Sequence, residues 1–497
     1  MRERRDAVPT VKLPPTLAIG FSGHRKLPDE AKCREAIRTV LEEWKAKVPG
    51  VVYGVSSTAE GGDLLFAETC IELNLPIRIF LPFAKEKFRE DFDDESWKRA
   101  EQVVANALSA EVTGAGEDPT ERYYECGIET VQQSHLLIAL WDGEPARGLG
   151  GTEDIVSFAK EQGRPIVWIH SETGEVRQLN EDAELLKDPE MDFLNGLAEP
   201  VAKVPTATPQ GLAQAWFNKV DENASHVAPQ FRRLAAIPIF CTAAAALLSS
   251  RASTTGGKTI WLLMGTVLGV MAGALPVVMR LDRRQILWTR MRTAAEVCRS
   301  YLALWRTPTL YDVVGPETVP ELAGMLMSLN FLKMMDRAWH QTTLEEFKRL
   351  YRVERVQNQI GYFNRHAEHS AAEVRKYKII TWISVTIAAG LNVWILLSPR
   401  VPNIFVVGHW KTALAVAATT GFQVATVAAA LLIVYDHERR RQRYRELHRM
   451  LTQWDKQLEI ARTWPIVLRI TSMIEKALLA ELIEWRSLIR NRKMPQK

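Results

Sequence analysis

Three short stretches in the first third of the chain combine glycine with side chains that could hold a phosphorylated ligand. They cover residues 20–25, 59–63 and 142–154. Glycine lets the backbone approach a ligand closely, amides that open a helix favour phosphate, and carboxylates suit ribose hydroxyls or the edge of a base. The candidate ligand-binding residues are Ser22, Gly23, His24, Arg25, Glu60, Gly61, Gly62, Asp63, Asp142, Gly143, Gly150, Gly151, Thr152, Glu153 and Asp154.

Each stretch by itself is also typical of an ordinary turn after a strand, so the interpretation depends on all three lying together. No catalytic residue is singled out, because Cys126 and Tyr124 are expected to pack under a sheet and not to act as nucleophiles. Five scattered cysteines without paired spacing predict neither a disulfide framework nor a zinc site and fit a reducing cytosol. No metal and no prosthetic group is expected.

The elements around these stretches alternate between strand and helix. Strands are predicted at 17–20, 51–55, 77–81, 136–141 and 165–169, and helices at 29–47, from 64, at 85–110, at 123–133 and up to 162. Such alternation implies right-handed crossovers and an α/β fold with a doubly wound parallel sheet. Ligands of these sheets bind at the carboxyl ends of the strands, and the three stretches fall there.

Four long uncharged stretches predict a membrane domain in the second half of the chain. They cover 234–250, 259–279, 379–399 and 412–435, and they form two hairpins around short loops. About 20 apolar residues are needed to cross a hydrocarbon core of about 30 Å, so we expect four transmembrane helices. The alternative is four buried helices of a large soluble protein, although such helices rarely stay uncharged for so long.

The two hairpins look like copies of one unit. A shift of 156 positions lays Gly265 on Gly421 and the following small residues on one another, and it lays Asp282-Arg283-Arg284 on Glu438-Arg439-Arg440. Small residues at every fourth position put a flat stripe on a helix, which lets another helix approach closely in lipid. The repeated stripe therefore indicates a duplication.

Basic residues near the ends of the spans indicate their orientation. Eleven lysines and arginines flank the four spans on one side and four flank them on the other, so both termini and the segment between the hairpins should be cytoplasmic. The net charge of +4 is small, and arginines at membrane exits suit anionic lipid and not nucleic acid. Residues 1–15 lack the apolar core of a signal peptide.

These patterns predict five regions. An α/β nucleotide-binding domain covers 16–171, a connector 172–229, the first hairpin with its stalk 230–310, a cytosolic helical region 311–377, and the second hairpin with C-terminal helices 378–497. Thr342 or Thr343 with an acid three residues later predicts a capped stalk helix that passes Arg355 and continues into the third span. A helix so rich in charge is expected to be solvated.

The motifs in 20–25, 59–63, 137–143 and 150–152 resemble, in this order, those of the SLOG superfamily. This group of Rossmann-like domains includes the LOG phosphoribohydrolases, the DNA-processing protein DprA and the ligand-sensing domain of TRPM channels. The resemblance implies that the matching loops bind a nucleotide or a nucleotide-derived messenger. The LOG enzymes carry a Pro-Gly-Gly-x-Gly-Thr-x-x-Glu motif, whereas the third residue after Thr152 is Ile155 here. Glu153 or Asp154 could substitute, but this difference argues against hydrolase activity.

Paired hairpins with long stalks resemble the SLATT family of membrane effectors, in which SLOG domains accompany transmembrane modules in bacterial conflict systems. The resemblance implies a homo-oligomer in the bacterial inner membrane. The expected function is that of a sensor–effector, in which a cytosolic domain binds a nucleotide-derived signal and gates a transmembrane pore during antiviral defence. The alternatives are a membrane-tethered enzyme that cleaves a nucleotide at its N-glycosidic bond, and a scaffold whose SLOG-like fold has lost its ligand.

Overall fold

The computed structural model describes residues 11–114, 118–145, 148–179, 187–199, 207–254, 258–281, 284–310, 313–314, 318–336, 342–397 and 410–491. They form two compact units. The first contains the described residues of Met1–Gly196, Val204–Trp216 and Gly315–Arg337, and the second contains those of Leu197–Lys203, Phe217–Val314 and Ala338–Lys497. The expected hairpin loops at 255–257 and 398–409, with Asp282 and Arg283, lie outside the described residues.

The first unit is built on a mostly parallel sheet of seven strands. The strands are β1 Thr16–Gly23, β2 Val51–Ser56, β3 Ile77–Leu81, β4 Ser109–Val112, β5 Leu136–Trp141, β6 Ile166–His170 and β7 Val176–Leu179. Their order is β4-β3-β2-β1-β5-β6-β7, and only β7 runs antiparallel to its neighbour. The α/β parallel architecture predicted from the alternating pattern is confirmed.

Eight helices belong to the first unit wholly or in part. They are α1 Glu30–Lys47, α2 Gly62–Glu72, α3 Lys85–Phe88, α4 Asp94–Asn106, α5 Pro119–Gln132, α6 Thr152–Glu161, α7 Pro189–Asn195 and the start of α8 Pro209–Thr254. A further helix of this unit, α11 Ala323–Met335, comes from the predicted helical region 311–377. It packs on the sheet, where the ring of Phe331 lies 5.7 Å from that of Tyr53.

The sheet is covered on both faces, as its apolar strands require. Alternate residues of β5 enter different cores: Ile138 packs with α1, α2 and α4, whereas Leu137 packs with α5 and α6. Aspartates cap three of these helices. Asp29, Asp93 and Asp118 each accept a hydrogen bond from a backbone amide of the following first turn, at 2.7–3.0 Å.

The helix expected over 85–110 is divided in the structure. It begins as α3, continues as a 3-10 turn over Arg89–Asp91, and starts again as α4 because Asp93 caps a new N-terminus. The chain then enters β4, which pairs with β3 at the edge of the sheet. The sequence pattern missed β4, and it also missed β7, because both edge strands are short and half-exposed.

The second unit is helical. Its described helices are the rest of α8, then α9 Lys258–Leu281, α10 Arg284–Ala303, α12 Leu344–Tyr351, α13 Asn358–Leu397, α14 Trp410–Val434, α15 His437–Ile460 and α16 Trp464–Asn491. The predicted cap is confirmed at Thr343, whose hydroxyl accepts from the Glu346 amide at 3.3 Å. The helix continues from α12 through a π-helical segment, Arg352–Gln357, into α13.

Among the described residues, two helical stretches are long and apolar enough to cross a membrane. They lie within Leu344–Leu397 and Ala413–Ile460, and two shorter apolar segments lie at Ala236–Ala252 and Thr259–Leu275. Large apolar side chains such as Trp382 and Leu396 are more than 70% exposed on the first of these stretches. The count of four spans and the side on which the termini lie remain predictions.

Candidate ligand-binding cleft

A cleft of about 890 Å³ opens at the carboxyl ends of β1 and β5. These two strands are neighbours, but the chain continues from β1 to β2 on one side and from β5 to β6 on the other. The strand order therefore reverses between them, and such a switch point leaves a crevice in which open α/β sheets bind ligands. The volume lies in the usual range of 300–1,000 Å³ for small-molecule pockets.

Ten of the fifteen candidate residues line this cleft. They are Ser22, Gly23, His24, Arg25, Asp63, Asp142, Gly150, Gly151, Thr152 and Glu153. The remaining five, which are Glu60, Gly61, Gly62, Gly143 and Asp154, are not among its lining residues. All three glycine-containing stretches are therefore represented in one cleft.

Gly61 and Gly62 lie where two backbone segments of this unit pack closely against each other. Gly61 has φ +92°, and a Cβ atom there would lie 2.2 Å from the Arg25 carbonyl oxygen. A Cβ atom on Gly62 would lie 3.0 Å from the Cα atom of Gly23, and the Gly62 amide donates to the His24 carbonyl at 2.9 Å. This contact draws the loop after β1 against the start of α2, which brings Arg25 beside Asp63.

Two of the acidic candidates stabilise the loops. Asp154 accepts a hydrogen bond from the Gly150 amide at 2.9 Å, and Gly150 has φ +86°, so this bond holds a turn that favours glycine. Glu60 is exposed and accepts from the Ser96 hydroxyl at 3.3 Å. Both carboxylates are therefore engaged within the protein.

His24 and Asp142 join the two strands that flank the cleft. The His24 Nε2 atom lies 3.0 Å from Asp142 Oδ1 and 3.3 Å from the Asp142 backbone nitrogen. Burial raises the pKa of Asp142, but the hydrogen bonds from the Glu144 amide and from His24 outweigh it, so the pKa lies below its ordinary value. Asp142 is thus a carboxylate at neutral pH, and its Oδ1 atom lies 3.0 Å from an imidazole nitrogen beside the cleft.

Asp63 is the carboxyl group whose pKa is most relevant to the chemistry of the cleft. Burial raises its pKa to about 7, although a hydrogen bond from the Gly23 amide at 3.0 Å and the charge of Arg25 both lower it. A carboxyl group with a pKa near 7 can donate or accept a proton under cellular conditions. Asp63 is also half-buried, so part of it reaches solvent in the cleft.

The helix α5 forms a wall that the sequence analysis did not identify. The guanidinium of Arg25 lies 4.6 Å from the ring centre of Tyr123, and the Tyr123 hydroxyl donates to Asp91. Burial and Asp91 raise the pKa of Tyr123, so it stays a neutral phenol. The lining residues of α5 recur at the helical spacing of one face, and that periodicity is the signal that could have revealed them: Thr120, Tyr123, Cys126, Gly127 and Thr130.

The N-terminus of α6 forms the opposite wall. Its capping residue is Gly151, which has no side chain, so the amides of the first turn have no side-chain cap. Gly151 and Thr152 both line the cleft. Free amides and the helix dipole make such a terminus favourable for phosphate or another anion.

Cys126 is buried, as expected from the sequence, but it also lines the cleft, which was not expected. Its thiol donates to the Phe80 carbonyl at 3.4 Å, and burial raises its pKa to about 12. A thiol in this state is a poor nucleophile, because the thiolate is the reactive form. Among the described residues, no three His, Cys, Asp or Glu side chains are grouped so that they could hold a metal ion.

The fold and the cleft define a Rossmann-like α/β unit with a ligand-sized crevice at its topological switch point. The crevice combines a helix terminus that favours an anion with three basic and four acidic side chains: His24, Arg25, Lys26, Asp63, Asp142, Glu144 and Glu153. Comparison of the chain with protein-family models and with curated proteins found no match.

Proposed function

We propose that this protein is a membrane-bound sensor–effector whose α/β unit belongs to the SLOG superfamily and binds a nucleotide-derived signal. The observation that carries the proposal is the cleft at the switch point, where an uncapped helix terminus and Arg25 lie together with acidic side chains. A phosphate would bind at the first-turn amides of α6 from Thr152 onward, because the Gly151 amide donates to the Gly148 carbonyl at 3.3 Å. Asp142 or Glu153 would accept from ribose hydroxyls, which are donors that a carboxylate prefers.

The effector is the helical unit, in which we propose four transmembrane helices in two hairpins of the SLATT type. Support comes from the two long apolar stretches and the two shorter apolar segments. Gly265 and Gly421, which coincide under the shift of 156 positions, both support duplication. Each lies against the preceding helix of its hairpin, since a Cβ atom there would lie 3.0 Å from Ser249 or Ala388.

Both termini then lie in the cytoplasm, the helices assemble into a homo-oligomer in the inner membrane, and the signal opens a pore during antiviral defence. This output follows from the family resemblance. The stalk helix supports a mechanical link, because α12, the π-helical segment and α13 form one uninterrupted path into an apolar stretch. A movement at its cytoplasmic end would reach the span directly.

Titration calorimetry of the full-length protein with a panel of nucleotides and cyclic nucleotides tests the sensor. We expect binding without turnover, and Gly151→Val should abolish it, because the added branched side chain stands at the amides that meet phosphate. Thr173→Val, in a turn outside the lining residues, is the matched control. Normal binding by Gly151→Val would place the site elsewhere, and an absence of binding across the panel would favour a scaffold.

Dye release from proteoliposomes tests the effector separately. We expect release only when the bound nucleotide is present, and Gly151→Val should suppress it. Release that does not depend on nucleotide would contradict gating by the α/β unit.

The second candidate is a membrane-tethered nucleotide N-glycosidase, and the protonation behaviour of Asp63 favours it. A carboxyl group with a pKa of about 7 beside Arg25 and the His24–Asp142 pair has the properties of a general acid or base. Chromatography of nucleotides incubated with the protein separates the two candidates, since a released base means turnover. Loss of that product in Asp63→Asn with binding retained would assign the proton transfer to Asp63.

A further inference from the structure

A second groove, of about 500 Å³, lies between α13 and α15 at the level where the apolar part of α13 begins. Its lining combines four cations with apolar side chains, including Arg375, Lys378, Arg441, Arg445, Ile379 and Trp382. This groove takes no part in the nucleotide site proposed above. Its mixture of chemistry suits a ligand with an anionic end and an apolar end.

The two kinds of side chain are separated along α13 by a distance that fits a lipid. Arg375, Lys378 and Trp382 follow one another at intervals of three and four residues, which places them on one face of the helix. Seven residues separate Arg375 from Trp382, or about 10 Å of helix. The headgroup layer on each side of a bilayer is roughly 5–8 Å deep, so the cations reach the phosphate level when tryptophan lies at the hydrocarbon boundary.

The cations of the groove are poorly neutralised by the protein. Among the described residues, Arg375 and Arg445 make no ion pair and no hydrogen bond from their side chains. The Glu438 carboxylate lies 3.3 Å from Arg441 Nη2 and 3.6 Å from Lys378 Nζ, so one negative charge is shared by two cations.

Arg441 carries a more specific sign of a missing partner. Its Nε atom is buried and has no hydrogen-bond partner among the described residues. A buried donor of this kind is normally satisfied by protein, water or ligand, and guanidinium groups bind phosphate oxygens well.

We propose that this groove binds one anionic phospholipid. The phosphate lies among Arg375, Arg441 and Arg445, where it accepts from the unsatisfied Nε donor, and the glycerol and upper acyl chain lie against Ile379 and Trp382. The proposal rests on the proposed membrane location of α13 and α14. A lipid held there ties α13 to α15, so the anionic lipid content of the membrane sets how firmly the two helices are joined.

Native mass spectrometry of the full-length protein with added phosphatidylglycerol or phosphatidylcholine tests the site. We expect retention of phosphatidylglycerol over phosphatidylcholine. The double substitution Arg375→Gln with Arg445→Gln should weaken phosphatidylglycerol binding about 25-fold, since each juxtamembrane cation is worth about fivefold. All four positions substituted in this experiment and its control are exposed, so folding should be preserved.

The matched control is Lys376→Gln with Arg439→Gln, which removes the same charge from the same two helices but from residues that do not line the groove. It should retain most of the phosphatidylglycerol binding. Equal losses in both double variants would mean a diffuse surface potential and would overturn the proposed site. Inorganic phosphate at the same concentration should not displace the lipid, and full displacement would mean a site for a free anion.

Flotation with vesicles separates this inference from the proposed function. Wild-type protein that does not float with vesicles of phosphatidylcholine would contradict the membrane domain, and the lipid site would fail with it. Protein that floats with these vesicles but shows no preference for phosphatidylglycerol would leave the membrane domain intact and contradict the lipid site alone.

Discussion

Replacing Glu475 by glutamine should loosen the helical unit, because Glu475 is the centre of a buried polar cluster. Its side chain is 0% exposed. Arg355 donates to both carboxylate oxygens, with Nε 3.0 Å from Oε1 and Nη2 2.6 Å from Oε2. Tyr351 donates to Oε1 at 2.8 Å and Ser300 donates to Oε2 at 2.6 Å.

The expected cost follows from what glutamine cannot provide. Burial lowers the pKa of Arg355, but the charge and hydrogen bonds of Glu475 raise this pKa by more. The guanidinium therefore stays charged. In Glu475→Gln this charge remains buried without its counterion. The NH₂ group of the new amide would also face groups that are themselves hydrogen-bond donors. Removing one partner of a buried pair typically costs 3–5 kcal/mol. At 1.36 kcal/mol per factor of ten, a cost of 3 kcal/mol is a change of more than 100-fold in local opening.

Hydrogen exchange measured by mass spectrometry on the full-length protein provides the assay. Peptides from α12 and the first half of α16 should exchange about 100-fold faster in Glu475→Gln than in the wild type. Two controls sharpen the test. Arg352→Gln breaks the partly exposed pair with Asp455, at 2.8 Å, and should cost only about 1 kcal/mol.

The second control is the double substitution Arg355→Met with Glu475→Leu, which removes both charges together. It should recover most of the lost protection, because apolar replacement of a whole buried pair is often neutral or stabilising. Exchange in Glu475→Gln within twofold of the wild type would refute the reasoning, and so would a double variant as labile as the single one.

Three other predictions concern the cleft, the spans and the topology. Because the folded-state pKa of Asp63 is raised to about 7, the wild type loses stability as pH rises from about 4 to about 7. After allowance for the partial exposure of Asp63, Asp63→Asn should be more stable than the wild type by about 2 kcal/mol at pH 8 but should differ little from it at pH 4. Hydrogen exchange in β1 and α2 measures this difference. Gly421→Leu should separate α13 from α14, since even a Cβ atom at this position would lie 3.0 Å from Ala388. Gly390→Leu is the control, because its side chain would meet open space and should leave the two helices together. Cross-linking between the helices measures both effects. A reporter fused after Lys497 should be active only in the cytoplasm, and activity outside it would contradict the proposed topology.

Much of the α/β unit could be predicted because its signals are local. The strand bounds 77–81 and 136–141 are those of β3 and β5, since an apolar run buried on both faces needs no partner to be recognised. The three glycine-containing stretches were placed at one edge because right-handed crossovers put the ends of parallel strands together. That rule requires only the order of the elements, so ten candidates meet in one cleft.

The tertiary structure alone decided which residues meet across long separations. Glu60 has the same chemistry as Asp142, yet it accepts a hydrogen bond from Ser96, 36 positions away, because α4 packs against α2. The raised pKa of Asp63 comes from burial, which no local pattern encodes.

Arg355 provides the clearest case. In the sequence it belongs to a helix rich in charge that reads as solvated, whereas in the structure it is buried against Glu475, 120 positions away. Local periodicity is set by the geometry of one helix, and it determines which residues share a face. Which face is covered, and by what, depends on contacts between distant elements whose free energy appears only when the chain is packed.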